Sequence, residues 1–524
     1  MTSQPPITPG VSTEIKKVDV AIVGAGFGGL CMAIKLLEEG NRNFVILEKA
    51  NEVGGTWRDN SYPGCACDVQ SHMYSFSFEG NPNWTKRYAP WNEIQNYILH
   101  CVDKYQLRPF INFNQELAEA HFDEEQGHWE VVTKKGTKLL ANHVVVASGP
   151  LHVPQVPKIK GLDTFKGKIF HSAQWDHDYN LKGKKVASIG TGGSAIQYVP
   201  EIAPDVQQLH VFQRTAAWVI PRDERKYLGI EKFAFKRVPA LRKLHRARLY
   251  WSNESRVWPM FNPALAKGLS ALAKQFIKLQ VKDPETARKL TPDYTMGCKR
   301  ILISNKYFPT FNRDNVELVT DGIREVRENS IVTADGVERE VDCIILGTGF
   351  VVDPRIYMSQ LPVTGIGGVD LRDEWKDAAV AYKGINVAGF PNFHLLVGPN
   401  TGLGHNSIIF MIESQVNHIL DGMKKLRAKK ADYFDVKISA QEAFVDEVQE
   451  KLQGTVWTSG CSSWYQQADG KNTALWPGST WRYWLTTLRL DASDFVFLKA
   501  RNKTARGANP PKKKHKRPEL KQVV

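Results

Sequence analysis

Residues 18–29 read Val-Asp-Val-Ala-Ile-Val-Gly-Ala-Gly-Phe-Gly-Gly, an apolar run followed by a glycine-rich turn. In a strand–turn–helix unit with this spacing, the first glycine permits the tight turn and the second lets the backbone approach a pyrophosphate. The third allows the helix to pack against the strand, and the pyrophosphate lies at the helix N-terminus. The stretch therefore predicts a Rossmann-like dinucleotide-binding domain.

A second copy of the pattern occupies residues 185–195, which read Lys-Val-Ala-Ser-Ile-Gly-Thr-Gly-Gly-Ser-Ala. The residue 24 positions after the first glycine is Glu48 in the first copy and Arg214 in the second. A carboxylate at this place accepts hydrogen bonds from ribose hydroxyls, whereas a guanidinium attracts a 2′-phosphate. The first copy therefore favours FAD or NAD, and the second, with Arg214 and Thr215, favours NADP.

The fold class that follows is α/β, with two Rossmann-like domains and the NADP domain inserted in the FAD domain. Two apolar strands that end in Ser148-Gly149 and Thr348-Gly349 mark the crossings between the domains. The predicted boundaries are 1–150 and 385–500 for the two parts of the FAD domain, 151–221 and 299–384 for the two parts of the NADP domain, 222–298 for a helical insertion, and 501–524 for a basic tail.

The net charge of +14 is concentrated near the C-terminus, because residues 501–524 carry nine Lys or Arg and one Glu. This tail is compatible with nuclear import or with an anionic surface, but we favour a disordered solubilising segment. Such a distribution gives no reason to expect a nucleic-acid partner.

The helical insertion contains a basic stretch, residues 236–248, in which apolar residues alternate with Lys and Arg. This composition is compatible with a helix that lies on a membrane surface. Pro239 interrupts the stretch, so we favour a helical cap on the insertion.

The remaining composition is that of a globular cytoplasmic protein, with 42% hydrophobic and 24% charged residues. Residues 1–13 do not resemble a secretory signal, and no apolar run approaches the ~20 residues of a membrane span. Seven cysteines without a Cys-x-x-Cys pair predict free thiols in a reducing compartment and no metal site.

Two glycine-rich loops have the character of flavin contacts. Gly54-Gly55-Thr56-Trp57 and Tyr62-Pro63-Gly64 permit close wrapping of a planar ring, and Asp68 follows as a charge beside it. Gly404-His405-Asn406-Ser407 precedes an apolar helix, where Asn406 or Ser407 is either a flavin contact or a helix cap.

At residues 165–176 the chain resembles the Baeyer–Villiger monooxygenases, flavoproteins that insert one oxygen atom next to a ketone carbonyl. Their linker signature, Phe-x-Gly-x-x-x-His-x-x-x-Trp followed by Pro or Asp, is matched here at every fixed position, and a second family signature is matched from Gly54 to Asp68. Ala66 departs from the arginine of most relatives, and this departure puts a local charge network and the transfer of substrate preferences in doubt.

The resemblance implies roles for particular residues. Arg300, in Cys298-Lys299-Arg300, corresponds to the catalytic arginine, with Asp68 as its partner and His171 as the linker histidine that couples domain movement to catalysis. Lys299 corresponds to a second contact to the NADP 2′-phosphate. The cofactor-binding set expected from the fingerprints and the resemblance is Gly24, Gly26, Phe27, Gly29, Glu48, Lys49, Gly55, Thr56, Trp57, Tyr62, Asp68, Val69, Gly190, Thr191, Gly192, Gly193, Ser194, Ala195, Gln197, Arg214, Thr215, Lys299, Thr348, Gly349 and Asn406.

The implied reaction uses FAD, NADPH, dioxygen and a small ketone, and forms an ester or lactone through a C4a-peroxyflavin anion and a tetrahedral adduct. A permanent cation beside the peroxide keeps it anionic, and arginine provides that charge without donating a proton. The alternatives are an amine or sulfide monooxygenase, which usually has Tyr-Arg where Trp175-Asp176 stands here, and an NADPH-dependent disulfide reductase, which needs a redox dithiol. A non-enzymatic flavoprotein that senses nucleotide is a further alternative. We expect a monomer or weak dimer.

Overall fold

The structure, a computed structural model, describes residues 15–359, 361–458, 465 and 470–501. The basic tail beyond Arg501 lies outside these residues. The strands of the described chain are β1 Lys16–Val23, β2 Phe44–Leu47, β3 Ile111–Asn112, β4 Leu117–Asp123, β5 His128–Thr133, β6 Lys138–Val146, β7 Lys168–His171, β8 Lys185–Ile189, β9 Gln208–Phe212, β10 Val219–Ile220, β11 Leu302–Ile303, β12 Val316–Val319, β13 Ile323–Val326, β14 Ser330–Thr333, β15 Glu338–Glu340, β16 Cys343–Leu346, β17 Val363–Thr364, β18 Phe393–Leu395, β19 Tyr433–Val436 and β20 Phe495–Leu498.

The helices alternate with these strands in the pattern of an α/β protein. They are α1 Phe27–Glu38, α2 Thr56–Asp59, α3 Trp91–Lys104, α4 Ala195–Ile202, α5 Gly229–Arg237, α6 Pro239–Glu254, α7 Trp258–Phe261, α8 Pro263–Gln280, α9 Pro284–Lys289, α10 Tyr307–Thr310, α11 Pro354–Tyr357, α12 Leu371–Glu374, α13 Ile408–Ala428, α14 Ile438–Leu452 and α15 Thr480–Thr487. In the described residues, no helix is long and apolar enough to cross a membrane.

The first sheet is built around the first glycine fingerprint. Its strand order is β17-β4-β5-β6-β1-β2-β3, and β18 pairs with β6. Strand β1 lies parallel to both β2 and β6, so the turn after Val23 and the end of β6 at Val146 meet at one edge. Helix α1 starts from that turn and packs against α13.

The second sheet is built around the second fingerprint and is parallel throughout, in the order β12-β9-β8-β16-β7. Its strands lie in the chain between β6 and β17 of the first sheet, which confirms that one dinucleotide-binding domain is inserted in the other. The chain returns to the first sheet at Val363, ahead of the predicted boundary at residue 385. The exact domain limits stay a prediction.

The helical insertion starts and ends at two short paired strands, β10 and β11. Helices α5 to α9 lie between them, as the absence of strand patterns predicted. Pro239 interrupts the basic stretch as expected, because α5 ends at Arg237 and a new helix, α6, begins at Pro239, where a missing backbone N–H costs nothing.

The cysteine prediction is confirmed only in part. Cys31, Cys65, Cys67, Cys101 and Cys343 are free and buried. Cys298 is disulfide-bonded, so the expectation of a free thiol is wrong at this position.

Candidate active site

The first glycine turn has the geometry of a nucleotide cradle. Gly24 has φ of +102°, and a Cβ there would lie 2.7 Å from the carbonyl oxygen of Ala147. A Cβ on Gly29 would lie 1.9 Å from the carbonyl oxygen of Gly24, so only glycine lets α1 start this close to β1. Both positions require glycine for packing alone.

Glu48 lies at the end of β2 and is 4% exposed. Its Oε2 accepts a hydrogen bond from Ala25 N at 2.8 Å, and its Oε1 accepts one from Ala50 N at 2.9 Å. The carboxylate is therefore fixed beside the glycine turn, where the ribose of a dinucleotide lies in this type of domain. A buried carboxylate held in this position fits the ribose hydroxyls of FAD.

The loop after Val53 covers the same turn. Gly55 approaches Gly26 closely, since a Cβ on Gly55 would lie 3.5 Å from Gly26 Cα. Thr56 starts the short helix α2, and the buried Trp57 donates its Nε1–H to Tyr74 Oη at 3.2 Å. The two segments thus form adjacent walls of one site.

The second glycine turn leaves space on the ligand side. Gly190 has φ of +106° and contacts Gly347 closely, whereas a Cβ on Gly192 would have no protein atom within 4 Å. Gly193, Ser194 and Ala195 lead into α4. Because packing does not explain Gly192, its lack of a side chain fits close approach by a pyrophosphate.

Arg214 and Lys299 form a cationic pair at the NADP domain. Burial lowers the pKa of Lys299, and the nearby positive charge of Arg214 lowers it further. Thr191 Oγ1 donates to the carbonyl oxygen of Thr215 at 3.3 Å, which fixes the segment after Arg214 beside the glycine turn. Two adjacent cations in this place fit a 2′-phosphate.

The linker histidine, His171, ends β7 beside Leu346 of β16. It is 3% exposed, and its Nδ1 accepts a hydrogen bond from Ala173 N at 3.1 Å. Burial lowers the pKa of His171, although a contact with the Gly349 backbone partly offsets this effect. His171, Thr348 and Gly349 therefore meet at the crossing between the domains.

Asp68 and Arg300 form an ion pair between Arg300 Nη2 and Asp68 Oδ2. Burial raises the pKa of Asp68, but the Arg300 charge and hydrogen bond bring the net pKa below its usual range. The Asp68 charge raises the pKa of Arg300 further. Both groups are therefore charged at neutral pH, while 33% of the Asp68 and 46% of the Arg300 side chain stays exposed.

Two residues near this pair were not found by sequence reasoning. Arg222 donates from Nη2 to the Cys67 carbonyl oxygen at 3.3 Å, stacks over Tyr88, and contributes to the lowered pKa of Asp68. Burial raises the pKa of Tyr465 to about 12, and the nearby Arg300 charge opposes this rise. Neither residue lies in a recognisable spacing, because the helical insertion and the C-terminal part bring them to the site.

Ala66 is held through its backbone. Gln197 of α4 accepts from Ala66 N at 3.2 Å and donates to Ala66 O at 3.0 Å. Gln197 Oε1 also accepts from Tyr62 Oη at 3.0 Å. Gln197 thus connects the NADP domain to the loop that precedes Asp68.

The Cys65-x-Cys67 pair has no dithiol character in the structure. Burial raises the pKa of Cys65 to about 12, and burial with the charge of Asp68 raises that of Cys67 well above its usual value. Both thiols are protonated at neutral pH, which disfavours a disulfide reductase.

Asn406 and Ser407 have separate partners before α13. Ser407 is the N-cap, because its Oγ accepts from Ile409 N at 3.3 Å. Asn406 Nδ2 donates to Glu254 Oε1 at 2.7 Å, and Glu254 also accepts from Thr480. The cap explanation is therefore correct for Ser407 and wrong for Asn406.

Three further expected cofactor contacts lie in the FAD domain, at the start of α1, after β2 and after Asp68. Phe27 is buried at the start of α1 and packs edge-on against Tyr74 at 5.4 Å. Lys49 is exposed directly after Glu48, and Val69 is half-buried directly after Asp68.

Comparison with known proteins agrees with this geometry. The family model for flavin-binding monooxygenase-like proteins matches residues 16–359. A Baeyer-Villiger monooxygenase of Pseudomonas aeruginosa is 48% identical over 94% of this chain and 93% of its own length. An oxidised steroid monooxygenase bound to NADP has 31% identity and a TM-score of 0.84 over 92% of this chain and all of its own. OTEMO in complex with FAD and NADP has 25% identity and a TM-score of 0.83 over the same shares. With 48% identity across nearly its whole length, the chain belongs to the Baeyer–Villiger monooxygenases, within the flavin-binding monooxygenase-like family.

Proposed function

We propose that this FAD- and NADPH-dependent enzyme inserts one oxygen atom of dioxygen next to the carbonyl of a small ketone, with Arg300 as the catalytic cation. The observation that supports this role is the Asp68–Arg300 ion pair, which joins the flavin loop of one domain to the NADP domain. When bound, NADPH supplies a hydride, and the reduced FAD supplies the activated oxygen.

Arg300 has two properties that suit a ketone oxygenation. Its guanidinium stays protonated, because its pKa, already high, is raised further by the charge of Asp68. It can therefore stabilise the negative charge that develops on the ketone oxygen, and it does not act as a proton donor. Removing one such stabilising group typically costs ~10²–10³ in rate.

Asp68 acts as the positioning residue for Arg300. The carboxylate holds the guanidinium in place and offsets part of the cost of removing it from water. The charge of Arg222, whose guanidinium is bound to the Cys67 carbonyl oxygen, also lowers the pKa of Asp68. This arrangement supplies a local cation network without an arginine at position 66.

The proposed cofactor contacts follow from the geometry of the two glycine turns. Glu48 would bind the FAD ribose, and Gly192 would admit the NADP pyrophosphate, while Arg214 and Lys299 would bind the 2′-phosphate. Gln197 and His171 would couple the two domains, because Gln197 accepts a hydrogen bond from Tyr62 of the FAD domain and His171 contacts the Gly349 backbone at the domain crossing. The monomeric or weakly dimeric state and the cytoplasmic compartment stay predictions.

The test is product analysis by gas chromatography and mass spectrometry with NADPH, air, a panel of linear, cyclic and aryl ketones, and one sulfide. We expect an ester or lactone that contains one added oxygen atom. Sulfoxide as the sole product would contradict the ketone assignment. NADPH loss with only hydrogen peroxide from every ketone would contradict a small-ketone substrate.

A further inference from the structure

The outer surface of helices α5 and α6 carries large apolar side chains in solvent. Ile230 and Phe233 of α5 are 76% and 61% exposed, and Leu244 and Trp251 of α6 are 67% and 60% exposed. Leu241, one turn before Leu244, is also exposed. Large contiguous apolar surfaces of this kind usually mark an interaction site. We call these five residues the α5–α6 surface.

Both helices rest on the same part of the FAD domain. The His72 ring lies 4.9 Å from Phe235 of α5 and 5.1 Å from His245 of α6. Arg246 of α6 donates to the Ser75 carbonyl oxygen at 3.0 Å. The packed sides of α5 and α6 therefore face the protein together.

The apolar residues lie on the opposite sides of the two helices. With 3.6 residues per turn, Leu244 and Trp251 share one side of α6, and the buried Leu249 and Asn253 share the other. On α5, Phe233 lies opposite the buried Phe235. Because both helices pack against the same segment, residues 72–75, their apolar sides both face away from the protein.

The exposed charged residues within α5 and α6 are all basic. They are Lys236, Arg237, Lys243 and Arg248. The two acids of these helices do not balance them, because Glu231 pairs with Arg225 and Glu254 is buried. From Gly229 to Gln280 the chain has eleven Lys or Arg and two acids, a net charge of +9.

This positive charge distinguishes three candidate binding partners for the α5–α6 surface: a second copy of the protein, its own C-terminal tail and a lipid bilayer. A second copy on a two-fold axis would place the same basic surface against itself, which is repulsive. The C-terminal tail carries +8 and would be repelled for the same reason. An anionic lipid surface attracts the Lys and Arg residues, while Trp, Phe and Leu side chains enter the boundary between head groups and acyl chains.

We propose that the α5–α6 surface binds the enzyme to a bilayer that contains anionic lipids, as a peripheral contact in the plane of the membrane. This contact needs no spanning helix, since α5 and α6 would lie flat on the lipid head groups. It is independent of the reaction assigned to the active site.

The test is flotation of the full-length, FAD-loaded protein with two kinds of vesicle, phosphatidylcholine alone and phosphatidylcholine mixed with phosphatidylglycerol. We expect binding to the anionic vesicles only, and its loss at about 1 M salt, where the Debye length is ~3 Å. Leu244→Ser/Trp251→Ser and Lys243→Gln/Arg248→Gln should each weaken the partition into anionic vesicles at least tenfold.

The matched control is Ile438→Ser/Leu498→Ser, which removes two exposed apolar residues elsewhere and should bind as the wild type does. Bound FAD shows that each variant is folded. Unchanged binding by the Leu244/Trp251 variant would overturn the proposal, as would no binding by the wild type. The proposal would also fail if deletion of residues 512–524 alone abolished binding, or if sedimentation showed a dimer that the Leu244/Trp251 variant dissociates.

Discussion

At the residue scale, Arg214 and Lys299 are the two cations to which we assign the choice of NADPH. They are far apart in the sequence, yet they lie close enough for the charge of Arg214 to lower the pKa of Lys299. Two adjacent cations repel each other, and a bound dianion removes that repulsion. The preference for NADPH over NADH should therefore depend on both side chains.

Arg214→Ala should reduce the preference for NADPH over NADH by a factor of tens, consistent with ~1.5–3 kcal/mol for a charge-assisted hydrogen bond. The measurement is the ratio of kcat/KM for the two nucleotides. Arg324→Ala, at an exposed position of the same domain, is the control and should leave the ratio unchanged. If Arg214→Ala kept the wild-type ratio, another residue would bind the phosphate.

Gly192→Ala tests whether glycine is needed at this position for NADPH binding and not for packing of the protein. The new Cβ would have no protein atom within 4 Å, so the melting temperature and FAD content should stay those of the wild type. The KM for NADPH should rise at least tenfold, because the methyl group occupies the path of the pyrophosphate. Gly268→Ala, also free of contacts, should leave the KM for NADPH unchanged. A normal KM in Gly192→Ala would show that the nucleotide does not approach this turn.

At the scale of elements, Glu254 connects the helical insertion to the active site. It ends α6, accepts from Asn406 before α13, and accepts from Thr480 at the start of α15. Burial raises the pKa of Glu254, but hydrogen bonds from His405, Thr480 and Asn406 bring the net pKa below its usual range. Three elements therefore depend on one buried carboxylate.

Glu254→Gln should destabilise this junction by ~2–3 kcal/mol, because the new amide presents a donor to the N–H of Thr480. FAD release on heating, followed by flavin fluorescence, should shift to lower temperature. Glu447→Gln on the exposed side of α14 is the matched control and should not shift release. Identical release curves for Glu254→Gln and wild type would mean that the junction does not hold the flavin.

The elements that follow local rules were predictable from the sequence. The glycine turns and strand β8 follow from hydrophobic period and from glycine stereochemistry. Arg222, Tyr465 and Glu254 were not predictable, because tertiary packing brings them to the site from distant segments. The partner of Asp68 came from family resemblance, since no spacing connects residues 68 and 300. The break between α5 and α6 was predictable, because proline ends a preceding helix and fits the first turn of the next one.

At the scale of the whole molecule, one buried carboxyl should couple stability to pH. Asp435 of β19 is 9% exposed, and its Oδ2 accepts from Gly389 N at 2.9 Å. Burial raises the pKa of Asp435 to about 7 from 3.8. The folded state therefore retains a proton that the unfolded state releases, so stability falls as pH rises from about 4 to 7 and is level above that range.

Asp435→Asn should remove this dependence, because the amide resembles the protonated acid. The melting temperature of the variant minus that of the wild type should increase from pH 5 to about pH 7 and stay level to pH 8, with ~2.7 kcal/mol as the upper limit of the effect over this window. Asp373→Asn, at an exposed position, is the control. A difference between Asp435→Asn and wild type that does not change with pH would show that Asp435 does not titrate in this range.

The Asp68–Arg300 pair joins the two dinucleotide-binding domains, so its chemistry belongs to the assembled molecule. The most direct measurement compares Arg300→Ala with the wild type in two assays: anaerobic bleaching of the flavin by NADPH, and ester yield from a ketone in air. We predict that bleaching persists while ester formation falls by at least ~10²-fold, with the exposed-site control Arg256→Ala unaffected in both assays. Ester formation by Arg300→Ala at the wild-type rate would contradict the catalytic role of Arg300.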